Sequence, residues 1–176
     1  MGGGEPLAQA EFTLALLKEL HEAYVHTAIE TCAQVPWNNL MRALDYLDWI
    51  FVDIKHMDTD RHRQETGVGN ELILENIKRI SLSEKSPRMI PRMPIVPGFN
   101  DSDSNVLATA AFLNKIGKNE VNLLPFHRLG VSKYEQLGLD YAYKDTNPPT
   151  AEKIDHIAGL FEKRGIKCYA GSDTPF

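Results

Sequence analysis

Cysteine is scarce in this sequence: Cys32 and Cys168 are the only two in 176 residues. Two isolated thiols cannot build a disulfide framework of the secreted kind, and neither belongs to a short-spaced metal motif. Excess basic charge is lacking too. Nineteen Lys and Arg against 24 Asp and Glu leave a net charge of −5, which argues against a generic nucleic-acid binder. The one basic cluster, Arg61, His62 and Arg63, reads as solvated surface. No stretch approaches the roughly 20 apolar residues needed to span a bilayer. Met1-Gly2-Gly3-Gly4-Glu5-Pro6 has neither the basic start nor the apolar segment of a secretory signal. These absences point to a cytoplasmic domain with no nucleic-acid or membrane partner.

What is present is an ordinary globular composition, 43% hydrophobic and 24% charged, in a length that suits one domain. Apolar residues alternate between helical stripes and short continuous runs. Phe12, Leu16, Leu17 and Leu20 mark a helix over 10–24, and Trp37, Leu40, Met41, Leu44 and Leu47 mark a second behind Pro36. Leu72, Ile73, Ile77 and Ile80 form a third, and Val106, Ala110 and Leu113 a fourth capped by Asp101 or Ser102. Ile154, Ile157, Ala158 and Phe161 form the last, ending before Gly165. Between them lie strand candidates at 26–31, 49–52, 89–96 and 121–124, with a fifth at 166–170. A long loop holding Pro148 and Pro149 separates the last two. Strands alternating with helices predict the α/β class with a parallel sheet, and the apolar runs suggest strands buried on both faces.

In such architectures ligands bind at the carboxyl ends of the strands. The polar residues that follow each run are Glu30 and Thr31, Asp53 with Lys55, Arg92 and His127. The glycine stretch ending in Glu5 stands where a preceding strand would finish. Acids, cations and a histidine converging there suit a zwitterionic small molecule with a heterocycle, Arg92 pairing with its carboxylate. Taken singly, each has a plainer reading: a flexible tail for the glycines, a surface ion pair for Asp53 and Lys55, a loop residue for His127.

Four segments in order resemble one family. Gly3-Gly4-Glu5-Pro6 is similar to the Gly-Gly-Glu-Pro loop of radical S-adenosylmethionine enzymes, and Asp53-Ile54-Lys55 with Asp58 to the Asp-Ile-Lys signature of its glycyl-radical-activating branch. Val96-Pro97-Gly98-Phe99-Asn100-Asp101 and Leu123-Leu124-Pro125-Phe126-His127 resemble two further stretches of that branch.

The resemblance implies an incomplete TIM-like barrel, residues 1–176 forming a single partial domain from the C-terminal part of a parent enzyme. It implies cofactor contacts from Gly3, Gly4, Glu5, Pro6, Lys55, Arg92, Leu124 and His127. It also implies a monovalent cation near Glu30, Thr31, Phe51 and Asp53, and a loop over 53–67 that receives the partner's glycine segment through His56, Asp58, His62, Thr66 and Gly67.

In that family a 4Fe–4S cluster, fed by flavodoxin or ferredoxin, cleaves S-adenosylmethionine. The resulting 5′-deoxyadenosyl radical takes an α-hydrogen from a glycine of a partner such as pyruvate formate-lyase. Cluster ligation needs thiolates, and the family's three-cysteine loop has no counterpart here. This chain alone is therefore expected to be inactive. A radical enzyme with another substrate and a non-catalytic peptide-binding paralog stand as alternatives.

Overall fold

The computed structural model describes residues 1–84 and 87–171. A short 3₁₀ turn, Pro6–Gln9, leads into α1 (Ala10–Glu22), followed by β1 (Ala28–Thr31), α2 (Trp37–Leu44), β2 (Trp49–Asp53), α3 (Thr59–Thr66) and α4 (Glu71–Leu82). The second half runs β3 (Arg88–Ile95), α5 (Asp103–Lys115), β4 (Glu120–Pro125), α6 (Val131–Gln136), α7 (Ala151–Glu162) and β5 (Lys167–Ala170). The five strands form one sheet in the order β1-β2-β3-β4-β5, every pairing parallel. Parallel neighbours need a crossover, and a helix supplies each one.

The two faces of the sheet differ. Ile29, Ile50, Val52, Met89, Met93, Ile95, Val121 and Leu123 join Leu40, Ile77, Val106, Leu113 and Ile157 of the helices in one apolar core. The alternate residues face the other way and are mostly polar or half-exposed: Glu30, Trp49, Asp53, Arg88, Arg92, Glu120 and Lys167. The expectation of strands apolar on both faces is thus corrected. Helices cover one face only, and the other carries charge.

Pro91 and Pro94 sit in the central strand because each lacks its donor where no partner needs one. Ile54 N donates to Arg92 O and Phe126 N to Ile95 O, so even-numbered residues of β3 turn to β2 and odd-numbered ones to β4. Register with β4 opens only at Arg92, after Pro91, and register with β2 closes at Arg92, before Pro94. Proline is tolerated where a ladder bond is not required.

Other differences have local causes. The buried stripe of α1 is Thr13, Leu14 and Leu17, while Phe12 is exposed. Thr13 Oγ1 donates to Pro6 O at 2.6 Å and fixes that rotation. The segment 53–67 contains α3, capped by Asp58 Oδ1 on Arg61 N at 2.8 Å and ended by Gly67 at φ 82°. His62 lies buried beneath it, so the basic cluster is not all surface. The loop before α7 holds α6, and Ser102, not Asp101, caps α5.

Candidate functional site

The carboxyl ends of β1, β2 and β3 meet the N-terminal glycine loop in an open pocket. Gly3, Gly4, Glu5, Glu30, Thr31, Cys32, Asp53, Lys55 and Arg92 line it. Eight of the twelve residues expected to contact a cofactor or cation are therefore side by side. Strand order explains this: β1, β2 and β3 are neighbours, Asp53 and Arg92 are register partners, and Glu30 faces the same way one inward position earlier, beside Phe51.

Arg92 is the hub. Its Nε and Nη2 lie 3.0 Å from Asp53 Oδ1, and its Nη1 lies 2.7 Å from Glu30 Oε1. Its guanidinium stands 5.8 Å over the Phe51 ring. Lys55 Nζ reaches Asp53 Oδ2 at 3.3 Å. Arg92 is 15% exposed and Asp53 20%, while Glu30 is 50% exposed, so Glu30 is the partner an incoming anion can most readily displace.

Glu5 is engaged differently. Its carboxylate accepts from Leu7 N at 3.1 Å, Thr31 Oγ1 at 2.9 Å, Cys32 N at 2.9 Å and Cys32 Sγ at 3.1 Å. Burial pushes the Cys32 thiol up from its ordinary pKa, and the bond to Glu5 adds to that. Gly3 and Gly4 have φ of 81° and 69°, the left-handed region that favours glycine. A Cβ at Gly2 would lie 3.0 Å from Glu30 Oε2.

Pro6 opens the 3₁₀ turn behind Glu5, and Leu124 and His127 stand at and beyond the end of β4. His127 is exposed, its Nδ1 3.4 Å from Leu129 N, and it lies outside the pocket lining. Asn100, which sequence reasoning passed over, holds the rim together. It is fully buried, accepts from Val96 N at 2.8 Å and donates to Lys55 O at 2.7 Å and Pro94 O at 2.5 Å. Its place in the Pro-Gly-Phe-Asn-Asp turn was the available signal.

The residues expected to receive a peptide have partners within their own segment and nearby. His56 is buried, its Nδ1 accepting from Asp58 N at 2.9 Å and its ring 5.3 Å from that of Phe99. Burial lowers its pKa, with Asp58 opposing the shift. His62 Nδ1 lies 2.7 Å from Val68 O and 3.0 Å from Thr66 Oγ1. Tyr143 donates to Glu65 at 2.5 Å, tying the segment after β4 to α3. Phe126, Tyr143, Tyr141 and Tyr134 follow one another ring to ring in that segment.

A sequence model of the radical SAM superfamily matches residues 1–110, and the chain belongs to that superfamily. Two activating enzymes resemble it over nearly all its length. The 4-hydroxyphenylacetate decarboxylase activating enzyme of Clostridioides difficile (strain 630) is 44% identical over 174 residues, 99% of this chain and 55% of that protein. The indoleacetate decarboxylase activating enzyme of Tractidigestivibacter scatoligenes is 39% identical over 96% of this chain and 53% of that protein. A crystal structure of a domain of pyruvate-formate lyase-activating enzyme from Bacteroides vulgatus ATCC 8482 superposes with a TM-score of 0.80 at 26% identity, covering 98% of both chains. The chain thus spans about half the length of the curated relatives it matches.

The superfamily uses S-adenosylmethionine and a 4Fe–4S cluster, and the site fits the two unequally. Cations, carboxylates and an exposed glycine backbone suit an amino-acid end. The cluster does not fit these residues: Cys32 is bonded to Glu5, and Cys168 sits on β5 near Ala158 O. Burial, then Glu162, pushes the Cys168 thiol up to about 12. Among the described residues no group of three or more His, Cys, Asp and Glu could hold a metal ion. No helix there is long and apolar enough to cross a membrane.

Proposed function

We propose that this chain is the S-adenosylmethionine-binding part of an activating enzyme that places a glycyl radical on a partner enzyme. The observation that carries this reading is the Glu30–Arg92–Asp53–Lys55 row beside the glycine loop, in one pocket at the strand ends. Arg92 and Lys55 hold the methionine carboxylate, and the Gly3 and Gly4 backbone with nearby acids receives the ammonium. His127 and Leu124 lie against the adenosine. A monovalent cation is held by Glu30 and Asp53, with Thr31 and Phe51 beside it, once the ligand carboxylate has taken Arg92 from Glu30. When reduced by a cluster, S-adenosylmethionine supplies a 5′-deoxyadenosyl radical that removes a glycine α-hydrogen.

The chain's own residues orient the ligand and keep water from the reacting end. The segment from His56 to Gly67 faces the partner as a capped helix on the rim, Asp58, His62 and Thr66 maintaining its shape. The names of the relatives favour a glycyl-radical decarboxylase acting on an arylacetate over pyruvate formate-lyase as that partner. A flavodoxin or ferredoxin serves as the electron source of the whole enzyme.

The test is titration of the chain with S-adenosylmethionine, followed by anaerobic addition of iron, sulfide and reductant. The expected result is binding that Arg92→Ala weakens, with no cluster formed and no 5′-deoxyadenosine released. Binding indifferent to Arg92 would remove the site assignment, and a stable four-iron cluster with cofactor cleavage would remove the inactivity.

A further inference from the structure

We propose that Glu5 is a positioning residue: its carboxylate fixes the Gly3–Gly4 backbone against β1 through Thr31 and Cys32, and it does not itself contact the ligand. The inference rests on the ligand assignment above and departs from the role the family resemblance gave this side chain.

An ionised carboxylate offers about four acceptor sites. Four donors occupy those of Glu5. Leu7 N comes from the turn that follows it, while Thr31 Oγ1, Cys32 N and Cys32 Sγ come from the end of β1, 26 and 27 residues away in the chain. Thr31 is 3% exposed, and its hydroxyl also accepts from Ala33 N at 2.9 Å, so both of its roles are committed. A ligand ammonium seeking a Glu5 oxygen would have to displace one of these bonds. Two of the donors come from groups with no rotational freedom to turn away, the backbone N–H of Leu7 and that of Cys32.

The loop needs such a tie. Gly3 and Gly4 are consecutive left-handed residues, and nothing lies within 4 Å of where a Cβ would sit on either. Neither glycine is crowded on that side. Glycine in open space is the most freely rotating residue in a chain. Two anchors bracket them: Met1, whose carbonyl accepts from Glu30 N at 2.9 Å, and the Glu5 side chain. Both anchors grip β1, one on its free edge and one at its end. The backbone of Gly3 and Gly4 is thereby held where it lines the pocket, and the Thr31 and Cys32 donors to Glu5 act on the ligand through Glu5 and the loop.

A direct contact and a positioning role predict different mutant series. In the positioning case, Thr31→Val reproduces much of the Glu5→Gln effect, Thr31→Ser restores wild-type behaviour, and the Glu5→Gln Thr31→Val double variant is no worse than Glu5→Gln alone. The experiment measures amide hydrogen exchange of residues 2–8 in the ligand-free chain, together with the dissociation constant for S-adenosylmethionine.

The expected result is exchange in the loop faster by about tenfold in both Glu5→Gln and Thr31→Val, with the strands unchanged. Binding should be weakened by roughly tenfold in each, without additivity. Loop exchange at the wild-type rate in Thr31→Val, or a binding loss confined to Glu5→Gln, overturns the proposal. Failure of the wild-type chain to bind S-adenosylmethionine would instead overturn the ligand assignment, while the exchange rates would still decide what Glu5 does.

Discussion

Arg92 and Asp53 face each other as register partners on adjacent strands, and two nitrogens of the guanidinium share one oxygen of the carboxylate, each at 3.0 Å. The pair fixes the side-chain plane of Arg92 while leaving Nη1 on the exposed Glu30. An anion entering the pocket meets a cation already aimed. Arg92→Ala is expected to weaken S-adenosylmethionine binding by roughly 10–100-fold, the loss of charge-assisted hydrogen bonds. Arg92→Lys should recover little, because a point charge cannot bridge two carboxylates in that fork geometry. Calorimetric titration of the three proteins checks both.

Asn100 connects the turn after β3 to the backbone of Lys55, its amide nitrogen donating twice and its amide oxygen accepting once inside the protein. Asn100→Ala leaves a buried N–H and two carbonyls without partners. A cost of about 2–3 kcal/mol is expected, read as a melting midpoint lower by roughly 5–10 °C. The same variant should also weaken ligand binding by freeing Lys55, whereas Thr150→Ala at the cap of α7 should lower stability by about 1 kcal/mol and leave binding unchanged.

His56 gives the fold a pH dependence with a definite sign. Burial lowers its pKa below the ordinary 6.5 despite the opposing charge of Asp58. The unfolded chain therefore takes up a proton at this position before the folded chain does. Stability from His56 is present above pH 6.5 and is lost as pH falls from there through the lowered folded value. His56→Asn, which retains an acceptor for Asp58 N, should flatten that part of the curve of melting midpoint against pH. An unchanged slope would show that other groups produce it.

The hydrogen bond from Tyr143 to Glu65 joins two segments 78 residues apart. Burial raises the Tyr143 pKa, and the Glu65 carboxylate raises it further, so the phenol stays a donor throughout the neutral range. Tyr143→Phe should speed hydrogen exchange across 131–146 several-fold with little change in melting midpoint, since Glu65 is on the surface and the ring contacts to Phe126 and Tyr141 survive.

Much of this architecture was legible from residue spacing. The five strands and their parallel order follow from the alternation of short apolar runs with helical stripes, and Glu30, Asp53, Lys55 and Arg92 meet because those runs end on neighbouring strands. The polarity of the inward face was not legible. Trp49, Phe51 and Ile90 look like core in a sequence, while only the pleat shows that they alternate with Ile50, Val52 and Met89 toward the other side. Nor was α3: its sequence, Thr59 to Thr66, is polar almost throughout, and caps at Asp58 and Gly67 define it where no apolar stripe does. Side-chain occupancy was hidden as well. Glu5 carries chemistry that suits a ligand, yet its carboxylate accepts from Thr31 and Cys32, which only the folded chain brings near, while His56 and His62 bond to backbone groups two and six residues along the chain.

The prolines of β3 act as a ratchet on the whole site. Moving that strand by one residue would turn Arg92 toward the helices. Moving it by two, in either direction, would press Pro91 into the position of Met93 or Pro94 into that of Arg92, each time against a neighbour that requires an N–H. Two imino acids thus determine which residue stands opposite Asp53.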